Sequence, residues 1–304
     1  MDDSADPLIV LLPGGYADRH GVTHREVELA PLTGREEELL ARSPGRDIAA
    51  LVTMVLSRCM RRIGAISPVS EEVARHLLIA DRQYLLLKLR EATLGERVRA
   101  TILCPWPDCG KKIMINFSVN DVPVTESEEK GPIYTIQLSP EVVASSAQGA
   151  ESRDITFRLP NGGDQEALSP ILAHNEARAL NLLLQRCMQR LGSLQHPDED
   201  AISRLSPLAR MEIEQRMAAV APKVELTMES ECPECGREYA VPFDLQHFFF
   251  TELHTRQDLL YREVHYLAYH YHWSEREIMG MSRQRRRAYI EVLAAEIERL
   301  NHAV

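Results

Sequence analysis

The sequence predicts an α+β fold that is mainly α-helical and contains two internally duplicated helix-plus-β-hairpin units. Three observations support this fold class. Apolar residues recur at helical spacing over several long segments, two cysteine pairs lie between segments of alternating apolar and polar residues, and the same order of features occurs twice. A helical C-terminal extension is predicted to follow the second occurrence.

Composition restricts the class of protein before any motif is considered. The 304 residues are 44% apolar, which is ordinary for a globular chain with a substantial core. No apolar run approaches the roughly 18 residues of a membrane span, and the early run at 8–12 is too short for a signal peptide. The formal charge of −10 argues against a nucleic-acid partner, because phosphate binding needs a surplus of lysine and arginine. These features predict a cytoplasmic protein without membrane contact.

Residues 1–45 are predicted to form an extended N-terminal arm. The segment is rich in turn residues, including the Pro-Gly-Gly sequence at 13–15, and shows little sustained periodicity. A short helix at 36–41 is the regular element expected there. Such an arm would lie over its own domain or over a partner.

Two helices and a hairpin are predicted for residues 46–122. The first helix spans 48–63 and stops at Gly64, and the second spans 70–92, each with apolar residues along one face. Apolar and polar residues then alternate on both sides of the first cysteine pair. This alternation indicates a hairpin with one buried face.

The same features recur at 173–246. Cys59 and Cys187 lie within matching Arg-Cys-Met tripeptides, and each is followed at the same distance along the chain by the first cysteine of a pair, so that the offset in residue number stays at 128. Beyond the cysteine pairs the offset falls to 126, because the two pairs differ in spacing. We interpret this recurrence as an internal duplication.

Residues 123–172 are predicted to be an insertion between the two units. Alternating apolar residues indicate strands at 133–138 and 155–159, and a Pro-Asn-Gly-Gly sequence after the second strand indicates a turn into the next helix.

Residues 247–304 are predicted to form a helical interaction segment. A long helix is expected over 245–272, and Ser274 with Glu277 has the spacing of a capping box. Ser282 can cap a last helix that extends to about residue 300.

Four cysteines form the candidate metal site: Cys104, Cys109, Cys232 and Cys235. Each pair is followed by a glycine, whose tolerance of positive φ suits the tight turn of a zinc knuckle, and four thiolates complete a closed tetrahedral site. The pattern predicts one structural Zn²⁺ per chain in a split four-cysteine zinc ribbon that joins the two units. The four-residue gap of the first pair is wider than usual. The competing interpretations are buried reduced cysteines or a redox couple.

Other cysteines and histidines are weaker candidates for metal ligands. Cys59 and Cys187 occupy matching positions in amphipathic helices, and we expect both to be small core residues. His265, His270 and His272 lie among four tyrosines, but their spacing does not place all three on one helix face. An aromatic packing or partner-binding face is the preferred interpretation.

The C-terminal segment combines the residue types that dominate binding interfaces, namely aromatic side chains and arginine. Arginines in the first turn of a helix oppose the helix dipole, so a partner gives them a better explanation than a solvated helix surface. With a net charge of −10 we favour an acidic protein surface over nucleic acid. The predicted partner-binding residues are Phe248, Tyr266, Trp273, Arg283, Arg285, Arg286 and Arg287.

No catalytic motif is recognisable in the sequence. A phosphate-binding loop, a G-x-S-x-G elbow, a dinucleotide fingerprint and a plausible pair of catalytic carboxylates are all missing. The sequence therefore favours a protein that is not an enzyme.

The order of motifs resembles that of the baseplate hub assembly proteins of T-even (T4-like) contractile-tailed phages and of related contractile injection systems. The resemblance covers nearly the whole chain and includes both cysteine turns. The other segments that carry it are 12–16, 32–37, 81–82, 85–90, 157–160, 262–265 and 271–274.

This resemblance implies a non-catalytic assembly chaperone or adaptor that binds baseplate hub or tail-tube proteins. Two alternatives remain at this stage. A zinc-ribbon nucleic-acid-binding protein would show salt-dependent DNA binding, and a zinc-dependent enzyme would need an open coordination position.

Overall fold

The computed structural model describes residues 7–43, 47–127, 131–144, 154–254 and 257–302. Helices and strands alternate along these residues in an α+β arrangement, as predicted. The first part of the chain contains β1 (Leu8–Ala17), β2 (Thr23–Leu29), α1 (Gly34–Ala41), α2 (Ile48–Cys59), β3 (Met60–Ile63), α3 (Glu71–His76), α4 (Ile79–Leu94), β4 (Arg97–Leu103), β5 (Lys112–Ser118) and β6 (Val124–Thr125).

The segment predicted to be an extended arm is instead part of the first core. Strands β1 and β2 form an antiparallel hairpin that pairs with β3, and Leu12 and Leu29 are fully buried. Strand β1 was not predicted from the sequence because its Pro-Gly-Gly residues, which usually indicate a turn, lie in a bulge of the strand. The backbone N–H groups of Gly14 and Gly15 donate to the buried carboxylate of Asp81 at 2.8 and 3.0 Å instead of to a neighbouring strand.

Two predicted helices of the first unit are shorter than the sequence suggested. Helix α2 ends at Cys59, because from Met60 onward the backbone pairs with β2. The segment predicted as one helix over 70–92 is divided into α3 and α4, and Leu77 is buried at the break. Helical periodicity alone cannot distinguish a continuous helix from two helices that bury the same face.

The second part of the chain has an element order similar to that of the first. Its elements are β7 (Tyr134–Gln137), α5 (Pro140–Ala144), β8 (Asp154–Phe157), α6 (Gly162–Leu172), α7 (Glu176–Cys187), β9 (Met188–Leu191), β10 (Leu194–Gln195), α8 (Glu199–Ser203), α9 (Pro207–Val220), β11 (Lys223–Val224), β12 (Thr227–Glu231) and β13 (Glu238–Pro242). Of these, α5, β10 and β11 are additional elements. The strands predicted at 133–138 and 155–159 are confirmed as β7 and β8.

Strand registers in the two parts differ by the same offset in residue number as the Arg-Cys-Met tripeptides. In the first part Val27 pairs with Ile63, and in the second part Ile155 pairs with Leu191. Both ladders contain a bulge at the equivalent place, and both end in a glycine of positive φ, with φ of 53° at Gly64. The recurrence therefore extends to the strand pairs β2–β3 and β8–β9. This extension was not predicted from the sequence.

Among the residues described after the second hairpin there are four helices: α10 (Leu245–His254), α11 (Gln257–Tyr271), α12 (Glu275–Met279) and α13 (Arg283–His302). The capping box of Ser274 and Glu277 is confirmed, and the Ser282 side chain caps α13 by accepting from the Arg285 backbone N–H. Residues 255–256, within the predicted long helix, lie outside the described part of the chain. No helix in the described ranges is long and apolar enough to cross a membrane.

Three groups of buried residues hold the described elements together. The largest lies among β1–β3, α2, α4 and the base of the first cysteine hairpin, and it includes Phe249 of α10. A second lies among β7–β9, α7 and α9. The third is small and contains the cysteine pairs with Ile113 and Tyr239. The cysteine hairpins thus contact each other through a core of their own.

Candidate functional site

Two β-hairpins carry the cysteine pairs. Strands β4 and β5 pair from Arg97 to Leu103, and β12 pairs with β13 from Thr227 to Glu231. In each turn the first cysteine donates its backbone N–H across the hairpin, from Cys104 to the Lys111 carbonyl at 2.8 Å and from Cys232 to the Arg237 carbonyl at 3.0 Å.

A glycine closes each cysteine turn. Gly110 has φ of 54° and Gly236 has φ of 68°, which is the left-handed region that the sequence analysis anticipated for both turns. The two turns therefore point their thiols toward a common centre despite the different spacing of the two pairs.

The four thiols lie together although the pairs are far apart in sequence. The Sγ atoms of Cys104, Cys109, Cys232 and Cys235 are all within 4.8 Å of one another. Two contacts between the hairpins are 3.9 Å, from Cys104 to Cys235 and from Cys109 to Cys232. Tetrahedral coordination with Zn–S bonds of about 2.3 Å requires Sγ separations of ~3.8 Å. The observed spacing suits one tetrahedral metal ion and is much longer than a disulfide bond of about 2 Å.

The local environment acts differently on the four thiols. Burial raises the pKa of Cys104 to about 12, whereas the Arg237 backbone N–H, which donates to the Cys235 sulfur, lowers the pKa of that thiol to about 7. A bound divalent cation favours the thiolate form at every position. The donor set of four sulfurs is typical of closed structural zinc sites.

Side chains beside the cysteines connect the two turns. The Trp106 indole Nε1 donates to the Glu238 carbonyl at 3.1 Å, and the Arg237 guanidinium lies over the Trp106 ring at 4.8 Å. Arg237 also pairs with Asp108 at 2.5 Å. Sequence reasoning missed these residues. Their only sequence signal is their position next to the cysteines, where the contacts that orient metal ligands usually arise.

The inner faces of the hairpins pack against each other below the thiols. Ile113 and Tyr239 are buried between them. Further down, Phe117 contacts Phe243 edge to face at 5.5 Å, and these two residues occupy equivalent positions in the two hairpins. Contact between equivalent residues is the arrangement expected around an approximate two-fold axis.

Cys59 and Cys187 are core residues, as predicted. They are 3% and 1% exposed and lie away from the four-thiol cluster, in the first and second cores respectively. Burial raises the pKa of both thiols, that of Cys187 to about 12.

The histidine-rich helix does not form a second cluster of metal ligands within the described ranges, where the four cysteines are the only such group. His265 and His270 instead contact tyrosine rings. Nearby, Tyr271, Trp273 and Tyr289 form an aromatic cluster in which Trp273 stacks on Tyr271 at 4.6 Å. The interpretation as an aromatic packing face is therefore preferred.

The arginine cluster of the last helix is partly internal. Arg286, predicted to bind a partner, is fully buried and donates to Glu37 at 2.8 Å and to Glu263 at 2.9 Å. Arg283 is also buried, with Nη1 3.7 Å from the Glu37 carboxylate. These two arginines are therefore unavailable to a partner in the folded chain. They attach α13 to α1 and α11, because Glu37 and Glu263 lie on those helices.

The other predicted partner-binding residues remain at or near the surface. Arg287 is exposed, and Tyr266, Trp273 and Arg285 are half-buried. Phe248 is half-buried and packs on Phe243 with ring centroids 5.1 Å apart, so most of its apolar surface belongs to the core.

Two arginines at equivalent positions of the two parts, Arg82 and Arg210, were not predicted to have a structural role. Arg82 is fully buried and donates to the Thr53 hydroxyl at 2.9 Å and to the Ala74 carbonyl at 3.0 Å. Arg210, its equivalent in the second part, donates to the Asn181 side chain and to the Ile202 carbonyl at 3.0 Å. The acceptors are related by the same offset in residue number as the two arginines. In the sequence, only the 128-residue offset between the two arginines could have indicated that they have equivalent roles.

Fold and site together define the class of protein: an α+β chain whose two parts are connected through a cluster of four thiols suited to one metal ion. Residues 16–250 match the family model described as T4 bacteriophage base plate protein. Because this match spans more than half of the chain, the protein belongs to that family and has a phage baseplate-related role. No curated protein and no solved structure matches the chain.

Proposed function

We propose that the chain is a non-catalytic assembly chaperone or adaptor for the baseplate hub of a contractile tail or injection system, stabilised by one structural zinc ion. The observation that supports the zinc is the meeting of four Sγ atoms within 4.8 Å from two separate hairpins. The cysteines in contact are 123 and 131 residues apart in sequence. Family membership supports the baseplate role.

The zinc ion would act as a joint between the two hairpins. Each is a two-stranded ribbon, and an isolated ribbon of that kind is marginally stable in water. Four thiolates leave no coordination position for water or substrate, so such a site is structural. Its apparent binding free energy would be on the order of 10 kcal/mol, comparable with the stability of a domain.

Metal analysis and a cysteine variant test the zinc proposal. Purified protein should contain one zinc ion per chain, and Cys235→Ser should lose the metal and the cooperative unfolding of the hairpins. Cys187→Ala is the matched control, because this buried cysteine lies outside the cluster and its variant should keep the zinc. Wild-type protein without metal, or Cys235→Ser as stable as wild type, would refute the proposal.

We also infer that the two parts arose by internal duplication, with units predicted at 46–122 and 173–246 in the sequence and with β2 and β8 as equivalent strands that precede them. The constant offset of the strand registers, the matching arginine contacts and the contact between Phe117 and Phe243 all support this inference. An experimental structure of the zinc-loaded chain should relate the units by an approximate two-fold rotation about an axis through the metal. Unrelated orientations of the two hairpins would contradict it.

The partner-binding part of the proposal concerns the outer surface of the C-terminal segment. Trp273, Arg285 and Arg287 remain accessible, and beyond Tyr289 helix α13 contains exposed apolar side chains such as Val292 and Leu300. Aromatic and arginine side chains beside apolar surface are typical of binding hot spots. We propose that hub or tail-tube proteins bind here.

A truncation can test docking only if it spares the internal contacts of α13. Deletion of 274–304 would remove the buried residues Ile278, Met279 and Arg286, so loss of folding would be expected. Deletion of 290–304 leaves these residues in place and should give a folded, zinc-loaded protein that no longer copurifies with baseplate proteins. Undiminished copurification would contradict the docking proposal, as would a Trp273→Ala and Arg287→Ala double variant that binds normally.

A zinc-ribbon nucleic-acid binder is the second candidate, and one observation favours it: Arg97, Arg99 and Lys112 form a basic face on the first cysteine hairpin. Salt-dependent binding to DNA or RNA with a steep logarithmic slope would support this alternative. The net charge of −10 favours the adaptor function.

A further inference from the structure

The first cysteine hairpin has a basic outer face. Side chains alternate along β4 and β5, so Val98 and Ile113 point into the core while the residues between them point outward. We call the outward side chains the basic ribbon face. Its members are Arg97, Arg99, Thr101, Leu103, Lys112 and Met114, all exposed.

The second cysteine hairpin has an acidic outer face. Tyr239 points inward, and glutamate occupies three of the outward positions of β12 and β13. We call these side chains the acidic ribbon face. Its members are Thr227, Glu229, Glu231, Glu238 and Ala240, all exposed.

The two faces lie on opposite sides of one sandwich. The inner faces of both hairpins contribute to the same small core, in which Ile113 and Tyr239 are buried. The outer faces must therefore point away from each other. Neither face can neutralise the other within one chain.

Each face carries features that a partner would stabilise. On the acidic side Glu231 is directly opposite Glu238, and like charges at paired positions are destabilising. On the basic side Met114 is 87% exposed and Leu103 is 62% exposed, beside Lys112. None of the three basic or three acidic side chains forms an ion pair with another described residue.

We propose that the basic ribbon face binds the acidic ribbon face of a second copy of this chain. The two hairpins have the same strand pairing, and the pair of Leu103 and Lys112 corresponds to the pair of Glu231 and Glu238. At this pair Lys112 on one face corresponds to Glu238 on the other. Stacking the two faces would bring a surface that carries three cationic side chains against a surface that carries three carboxylates, and it would cover Met114 and Leu103.

This contact has a consequence for assembly symmetry. It joins two different surfaces that lie on opposite sides of the sandwich, so each bound copy still presents one free face for a further copy. Such heterologous contacts build rings if the rotation closes and filaments if it does not. The contact therefore predicts species larger than a dimer.

Charge reversal tests the contact directly in the full-length, zinc-loaded chain. The double variant Arg99→Glu with Lys112→Glu has two acidic faces, and Glu231→Lys with Glu238→Lys has two basic faces. Each variant alone should sediment as a monomer of 34.5 kDa under conditions in which the wild type forms larger species. An equimolar mixture of the two variants should associate again, because the acidic faces of one variant can then bind the basic faces of the other.

Sedimentation velocity at low and high salt gives the measurement. Wild-type association should weaken at least about tenfold when the salt concentration rises from ~50 mM to ~500 mM, because exposed charges are screened. Arg178→Glu with Arg216→Glu is the matched control: it makes the same charge change as the first variant at exposed helical positions and should associate like the wild type. Zinc content verifies that each variant is folded.

Three results would overturn the proposal. The first is a wild type that remains monomeric up to about 100 µM at low salt, where a specific protein interface should be populated. The second is a mixture of the two reversed variants that fails to associate. The third is a basic ribbon face that binds nucleic acid while the protein stays monomeric, which would assign that face to the alternative partner. None of these results bears on the zinc site or on hub binding by the C-terminal segment.

Discussion

Replacing Arg286 distinguishes an internal arginine from a partner-binding one. The guanidinium is fully buried and makes three hydrogen bonds, to Glu37 at 2.8 Å, to Glu263 at 2.9 Å and to the Met281 carbonyl at 2.9 Å. Arg286→Met keeps much of the side-chain volume but removes the closest cation from two poorly hydrated carboxylates, Glu37 and Glu263. Removing one partner of a buried ion pair typically costs about 3–5 kcal/mol.

The neighbouring arginine provides the control. Arg287 is 46% exposed in its side chain and lies 3.8 Å from the same Glu263 carboxylate. An exposed ion pair contributes at most about 1 kcal/mol, so Arg287→Met should change the free energy of unfolding little. The two substitutions remove the same chemical group from adjacent positions, so the difference between them measures the effect of burial.

Urea unfolding of the zinc-saturated protein, analysed by linear extrapolation, would measure both variants. Adding Glu263→Gln to Arg286→Met should recover part of the lost stability, because this carboxylate has lost its closest cation and its charge is then removed as well. Glu37 is left unchanged because it also pairs with the buried Arg283. The reasoning fails if Arg286→Met loses less than about 1 kcal/mol while binding to baseplate proteins is abolished. That outcome would support the partner-binding role that was predicted for Arg286 from the sequence.

Three further predictions concern the two repeated parts. Arg82→Met should cost about 3 kcal/mol or more and Arg210→Met about 1–2 kcal/mol by urea unfolding, because Arg82 is fully buried and Arg210 only partly so; equal costs would contradict the argument from burial. Gly64→Ala should lower the thermal unfolding midpoint, since φ is 53° and a Cβ would lie 2.2 Å from the His24 ring, and an unchanged midpoint would show that the turn relaxes freely. Burial alone would raise the pKa of Asp164, but hydrogen bonds from neighbouring arginines lower it overall, so its stabilisation is present above the unfolded pKa of ~3.9 and is lost as pH falls through the folded value. Stability measured from pH 6 to pH 3 should therefore fall less steeply in Asp164→Asn than in wild type, and parallel curves would exclude this role.

Local signals predicted several elements and residue positions well. The alternation beside the cysteines gave both hairpins, and Ser274 and Ser282 marked the starts of the last two helices. These features can be predicted from the sequence because each depends on residues a few positions apart in the chain. The end of helix α2 at Cys59 could not be predicted in this way. The helix ends there because the next residue, Met60, pairs with strand β2, which is distant in sequence.

The N-terminal strands show why the recurrence was only partly visible. Sequence identity between the two parts is concentrated around the Arg-Cys-Met tripeptides, whereas the sheets recur in backbone register with different side chains. At equivalent positions Leu29 and Phe157 are both buried, and burial requires an apolar side chain without specifying which one. A comparison of residue types between the two parts therefore does not detect the equivalence of these strands. The hydrogen-bonding registers of the two sheets show it directly.

By itself the sequence determined that four cysteines could form one closed site, because two glycine-terminated turns between alternating strands leave few other uses for paired thiols. Only the tertiary structure decided the role of the arginine cluster. Arg286 meets Glu37 across 249 residues, and no local pattern shows that a charged side chain will be buried there. Charges separated in sequence interact according to their distance and burial in space, and both are set by the packing of whole helices.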